Sequence, residues 1–165
     1  MTPVTHALLP LFLGRRWLPK RTDGAPAWAA SGAVALSGVL PDVINPHLGL
    51  EARHEAFSHS LVAWMIFAGL LALAARRSRL APHRRIIVLC GAAYTAHLAC
   101  DLITGGVPLF APMEPLVWGD TWLPFGTWFI FDGALLAYAY LVYRWLPLRR
   151  RITRSRDFAP SPGET

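Results

Sequence analysis

Residues 56–75 read AFSHSLVAWMIFAGLLALAA, with no formally charged side chain along their length. A helix needs about 20 predominantly apolar residues to cross the roughly 30 Å hydrocarbon core of a bilayer, and this stretch supplies them. Working outward, three more stretches approach the same length, 25–44, 86–104 and 125–146, each holding one or two ionisable groups. A fifth, Pro3 to Leu13, is apolar but short. About eleven residues of helix cover roughly 17 Å, little more than half the core. It reads as a half-spanning or re-entrant helix, which protein rather than lipid must shield. The expected fold is therefore all-α: a polytopic membrane helix bundle of four transmembrane helices plus a short N-terminal half-spanning helix. Residues 1–148 form the membrane-embedded domain. Residues 149–165, rich in Arg, Ser, Pro and Gly, are expected to be a basic, disordered cytoplasmic tail.

Composition agrees. The chain has 165 residues, 54% of them hydrophobic and only 16% charged. Soluble domains carry about 25% charged residues, so the balance points to lipid. The net charge of +6 does not require nucleic acid. On a membrane protein, basic residues set topology and touch anionic lipid head groups. Cys90 and Cys100 share one apolar stretch on different helical faces and read as packing residues. The N-terminus does not read as a secretory signal, because its apolar run precedes Arg15 and Arg16.

With four spans, all but one of the 16 Lys and Arg residues fall on one side. They lie in 14–24, in 76–85, and from Arg144 into the tail; only Arg53 is opposite. The positive-inside rule makes the basic side cytoplasmic and puts loops 45–55 and 105–124 outside. Trp17, Trp28 and Trp145 near the inner boundary, and Trp118, Trp122 and Trp128 near the outer one, fit an aromatic belt; Trp64 alone falls mid-span.

This topology brings Asp42, His54, His59, His97, Asp101 and His6 to one depth near the outer side, from four separate segments. His97 and Asp101 are one turn apart on one helical face, and Thr104 continues it. An imidazole and a carboxylate so placed can grip one ion, at a helix end whose dipole favours a cation. Gly105, Gly106 and Pro108 then end the helix. Buried charge is expensive in a membrane, about 2.5–3.5 kcal/mol for a central carboxylate on insertion scales, and a divalent metal would satisfy these groups together. Taken singly, each has a plainer reading. His97 with Asp101 can be a helix-to-helix hydrogen-bond pair. His54 and His59 can be interfacial residues in a wet loop, His6 alone is a weak signal, and Asp42 after Pro41 can belong to a turn. His47 reads as a loop residue and His83 as a cytoplasmic one. Asp132 is either an acceptor orienting a ligand histidine or a helix-packing residue. Glu55 and Asp120 read as solvated loop charges, with Glu55 kept as a candidate acid or base.

Thr5-His6, Leu40-Pro41-Asp42, His54-Glu55-Ala56-Phe57-Ser58-His59-Ser60 and His97-Leu98-Ala99-Cys100-Asp101-Leu102-Ile103-Thr104, followed by Gly106-Val107-Pro108, carry a resemblance. In order and spacing they resemble the YdjM family (also called DUF457), described as inner-membrane, predicted metal-dependent hydrolases. The family pattern has Arg, Gly and Thr where this chain has Glu55, Ala56 and Ser58; the ligand-type residues are intact. The order of ligands is also distantly similar to part of the zinc phospholipase C and P1 nuclease group. A second His-x-x-x-acid motif is missing here, so one or two metals fit better than three.

The function expected is metal-assisted hydrolysis at a bacterial-type inner (plasma) membrane, with the site facing outward and the C-terminus cytoplasmic. His6, Asp42, His54, His59, His97 and Asp101 are the candidate ligands for one or two Zn²⁺, a metal suited to imidazole and carboxylate. Asp42, His59 and Asp101 are the candidates for activating water, and Ser58, Ser60 and Thr104 for hydrogen bonds to ligands or substrate. The expected substrate is a phosphate or acyl ester of a lipid or lipid-linked molecule. No Gly-x-Ser-x-Gly and no cysteine in a polar setting suggests covalent catalysis. The rival readings are a His/Asp-based transporter and a non-catalytic protein with a structural metal.

Overall fold

The computed structural model describes residues 2–18, 27–46, 50–77 and 83–149. Lys20, Arg21, His47, Arg79 and the tail from residue 150 onward lie outside the described residues. Among the described residues the chain is helical and has no strands. In order come α1 (Pro3–Gly14), α2 (Ala27–Ile44), α3 (Leu50–His54), a 3₁₀ turn (Phe57–His59), α4 (Leu61–Arg76), α5 (Arg84–Leu102) and α6 (Phe125–Tyr140). A π-helical turn, Leu141–Trp145, continues α6.

Local chemistry explains most of these boundaries. Pro3 opens α1 at a position where its missing N–H is not needed. Ser60 caps α4 by accepting from the Ala63 N–H at 3.2 Å. The apolar stretch that begins at residue 56 therefore enters its long helix only at Leu61, and the intervening 3₁₀ turn carries His59 into the protein. At the other end of α5, the Asp120 and Trp122 N–H groups reach back to the Leu102 and Ile103 carbonyls at 2.9 and 3.1 Å, supplying partners that a helix end lacks. Gly106, at φ +85°, lets the Gly106 N–H return to the Asp101 carbonyl at 2.9 Å.

The centre of the bundle is α5, which packs most extensively on α2 and then on α4 and α1. Its buried residues, Leu89, Cys90, Ala93, Tyr94, His97, Leu98 and Asp101 among them, form a stripe at helical spacing. The first half of that stripe is apolar: Leu89, Cys90 and Ala93 pack with Val34 of α2, and Phe67, Leu71 and Ile86 close around them. Both cysteines are buried and free. The second half is polar and carries the candidate ligands. Contacts fix the directions of the helices. Gly38 of α2 meets His97, so α2 and α5 run parallel. His6 meets Asp101 while Gly14 sits against Leu89, so α1 runs antiparallel to α5. Phe67 stacks on Tyr94 and Trp64 donates its ring N–H to Thr95, so α4 is antiparallel as well.

The exterior is apolar. Met65, Ile66, Leu70 and Leu73 of α4, and Phe129, Ile130 and Leu136 of α6, are all more than half exposed. A contiguous exposed apolar surface of this kind suits lipid, not water. The segments Arg84–Leu102 and Gly126–Arg149 are long and apolar enough to cross a bilayer; Pro3–Gly14, Trp28–Ile44 and Leu61–Arg76 are shorter apolar helices.

Candidate metal centre

Asp42 lies in the last turn of α2, and His97 and Asp101 lie in the last turns of α5. Since α2 and α5 run parallel, these turns sit side by side, and the 3₁₀ turn before α4 adds His59. The result is one cluster in which a ligand atom from each of Asp42, His59, His97 and Asp101 lies within 4.8 Å of the others. His59, His97 and Asp101 are fully buried, and only the Asp42 side chain reaches the surface, at 16% exposure.

The two imidazoles are oriented by their outer nitrogens. His97 Nδ1 is 2.6 Å from the Gly38 carbonyl. A carbonyl can only accept, so Nδ1 carries the hydrogen and neutral His97 turns the lone pair of Nε2 inward. Ser58 Oγ donates to the Pro41 carbonyl at 2.7 Å and is 3.2 Å from His59 Nδ1. With its hydrogen committed, Ser58 accepts from His59 Nδ1–H, so that in the neutral ring His59 Nε2 also presents a lone pair. Such outer hydrogen bonds are how metal-ligating histidines are held. The Tyr94 hydroxyl, on the Ser58 carbonyl at 2.5 Å, holds this turn against α5.

The spacing of the inward atoms suits one ion. His59 Nε2 and His97 Nε2 are 3.1 Å apart. Asp42 Oδ1 is 3.3 Å from the first and 3.5 Å from the second. Asp101 Oδ2 is 3.4 and 3.3 Å from the same two atoms. A tetrahedral ion with bonds of about 2.0–2.1 Å has donor-to-donor edges of about 3.3 Å. Five of the six edges thus match, and the sixth joins the two carboxylates. Four acceptors converging in a buried space is an arrangement that a cation stabilises and that helix packing alone does not explain.

The other sequence candidates lie around this cluster. His6 stacks on His97 with ring centroids 3.7 Å apart, and its Nε2 is 3.3 Å from Asp101 Oδ1. His6 Nδ1 is buried and has no hydrogen-bond partner among the described residues. His54 is half-buried, with Nε2 2.9 Å from the Gly105 carbonyl. Glu55 and Asp120 are exposed. Ser60 caps α4, and Thr104 Oγ1 is 3.5 Å from Asp101 Oδ1. Asp132 accepts hydrogen bonds from the Thr2 and Thr5 hydroxyls, and so ties α1, one residue from His6, to α6.

Two contributors escape a reading of the sequence. Gly38 is one: a Cβ there would lie 2.1 Å from the His6 carbonyl oxygen, so only glycine lets α1 approach α2 closely enough to lay His6 over His97. Arg53 is the other. It is 3% exposed, and its Nη1 donates to Asp101 Oδ1 at 2.8 Å while Nη2 donates to the Thr104 carbonyl at 2.9 Å. Its signal is its isolation in the sequence, apart from the basic segments 14–24, 76–85 and 144–156. Where the resembled pattern sets an arginine after the histidine, this chain has the exposed Glu55; the buried arginine comes two residues earlier.

Helices with exposed apolar faces around a buried His and Asp cluster define a helical membrane protein with a candidate metal centre. The family model for the YdjM inner membrane proteins matches residues 1–158, and the chain belongs to that family. No curated protein and no solved structure matches it.

Proposed function

We propose that the protein is a membrane-bound, metal-dependent hydrolase acting on a phosphate or acyl ester of a lipid or lipid-linked substrate at the outer face of the membrane. The observation that carries this reading is the convergence of two imidazole lone pairs and two carboxylates with edges of 3.1–3.5 Å. Asp42, His59, His97 and Asp101 would hold one divalent ion, with zinc the best match to that donor set. Such an ion supplies Lewis acidity and lowers the pKa of water bound to it. The chain's own residues do the rest. Gly38 and Ser58 fix the ring orientations, and Asp42, the one donor open to solvent, marks the side from which water and substrate enter. Met113, Leu116 and Trp122, all exposed in the loop after α5, offer apolar surface that a lipid substrate could contact.

The membrane topology supports the outward assignment. Read as four alternating spans, α2, α4, α5 and α6, with α1 as a half-spanning fifth helix, the bundle would carry the cluster at one end. Arg15, Arg76, Arg84, Arg144 and Arg149 fall at the opposite ends of their helices, which the positive-inside rule makes cytoplasmic. Anionic lipid head groups are the partners of those arginines.

A structural metal is the second reading, favoured by the presence of four protein donors, enough to close a tetrahedral site. A transporter fits less well, because the α2–α5 interface beneath the cluster is packed with Val34, Leu89, Cys90 and Ala93. Elemental mass spectrometry on detergent-purified protein comes first, with His97→Ala and Asp101→Ala alongside. Hydrolysis of a panel of phosphate and acyl esters of lipids follows, before and after chelation. Bound metal with chelator-sensitive turnover is expected. Bound metal without turnover on any ester class would favour the structural reading, and no metal in the wild type would remove both.

A further inference from the structure

Asp101 gives its two oxygens to different partners. Oδ2 belongs to the His59 and His97 cluster, at 3.4 and 3.3 Å. Oδ1 takes the Arg53 guanidinium at 2.8 Å, and His6 Nε2 stands 3.3 Å from the same oxygen. In centres that hold two metals about 3.5–4 Å apart, a shared ligand such as a carboxylate commonly spans the pair. Here one oxygen of such a carboxylate faces the four-donor cluster and the other faces a fixed cation that is part of the chain. We propose that Arg53 fills the place of a second metal ion, so that the centre binds one ion per chain. The proposal rests on the metal-binding reading above and adds to it the number of ions and the residue that sets it.

Three observations support it. The donors a second ion would need are present around Asp101 Oδ1: His6 Nε2 at a ligand-like 3.3 Å, Thr104 Oγ1 at 3.5 Å and the Thr104 carbonyl. The guanidinium holds that position by two bonds, to Asp101 Oδ1 and to the Thr104 carbonyl, in a setting where it is almost wholly buried. Charge points the same way. Asp42 and Asp101 against Arg53 leave one net negative charge, which a single divalent ion already reverses. A second would crowd excess positive charge into a buried space, where unpaired charge is costly.

The test is metal stoichiometry. The full-length protein in detergent is stripped with chelator and titrated with Zn²⁺ and, separately, with Co²⁺. Bound ions per chain are counted by elemental mass spectrometry, and the cobalt absorption spectrum follows each site. The wild type should bind one ion and Arg53→Lys one. Arg53→Met should open a second site, roughly tenfold or more weaker than the first, which disappears again when His6→Ala is added. Two ions in the wild type would overturn the proposal while leaving the metal reading intact. One ion in a folded Arg53→Met variant would overturn it too. If Arg53→Met does not fold, the wild-type and Arg53→Lys counts still decide, since two ions in either contradict it. No ion in the wild type would overturn the metal reading itself, and this proposal with it.

Discussion

The two halves of the α2–α5 interface join the same pair of parallel helices by different means. In one half, Val34 meets Leu89, Cys90 and Ala93, and shape is the only requirement. A turn further along, Gly38 accepts a hydrogen bond from His97, and Asp42 faces His97, with Asp101 one turn beyond. In lipid there is little hydrophobic drive between helices, so the apolar half holds through close packing and tolerates modest changes of shape. The polar half has no such tolerance. Its buried charges are stable only while each keeps its partner. The lesson is that the apolar half serves as a frame, and the frame exists to keep a costly polar half in register.

Removing Asp101 should have the largest effect on the polar half. Asp101→Ala leaves Arg53 buried without its carboxylate and should destabilise the protein by about 3–5 kcal/mol, the range for breaking a buried ion pair. Thermal unfolding in detergent reads the loss, and elemental analysis should show the metal gone. Gly38→Ala comes next. The added methyl group meets the His6 carbonyl oxygen, so overpacking of about 1–3 kcal/mol is expected, together with weaker metal binding as His6 and His97 shift. Val34→Ala sharpens the contrast from the other side. It should cost roughly 1–2 kcal/mol of packing and leave metal stoichiometry unchanged. A loss of metal there would mean that the two halves are not separable. The smallest effect belongs to Asp132→Asn. The amide oxygen still accepts from Thr2 or Thr5, so a loss of under about 1 kcal/mol is expected. Limited proteolysis of α1, rather than metal content, is the sensitive readout for that change.

A second contrast separates α5 from α6. Arg84–Leu102 and Gly126–Arg149, which contains most of α6, are both long and apolar enough to span a bilayer, yet far more of the first is buried inside the protein. Their sequences do not announce this difference. Each carries an acid within an apolar run, Asp101 in one and Asp132 in the other. Asp101 meets histidines and an arginine, whereas Asp132 meets two threonine hydroxyls. The environment, not the residue type, separates a candidate ligand from a helix clasp.

The helical class, the apolar segments and the family were legible in the chain, because lipid imposes long charge-poor runs and because His97 and Asp101, four residues apart, share one helical face. His54 reads from sequence as a candidate ligand, and its Nε2 lies 2.9 Å from the Gly105 carbonyl, a partner that spacing, which gives depth alone, does not foretell. The start of α4 at Leu61 was hidden for a similar reason: an apolar run does not reveal where a serine cap lets a helix begin. By itself, then, the sequence determined that the chain is helical, which of its segments are apolar, and which ionisable groups lie near the ends of those segments. Only the tertiary structure decided that Gly38 draws α1 onto the site, that His59 and His97 turn their Nε2 atoms inward, and that Arg53 is the cation on Asp101. Those outcomes depend on backbone approach and side-chain direction between segments distant in the chain, and no local periodicity encodes either.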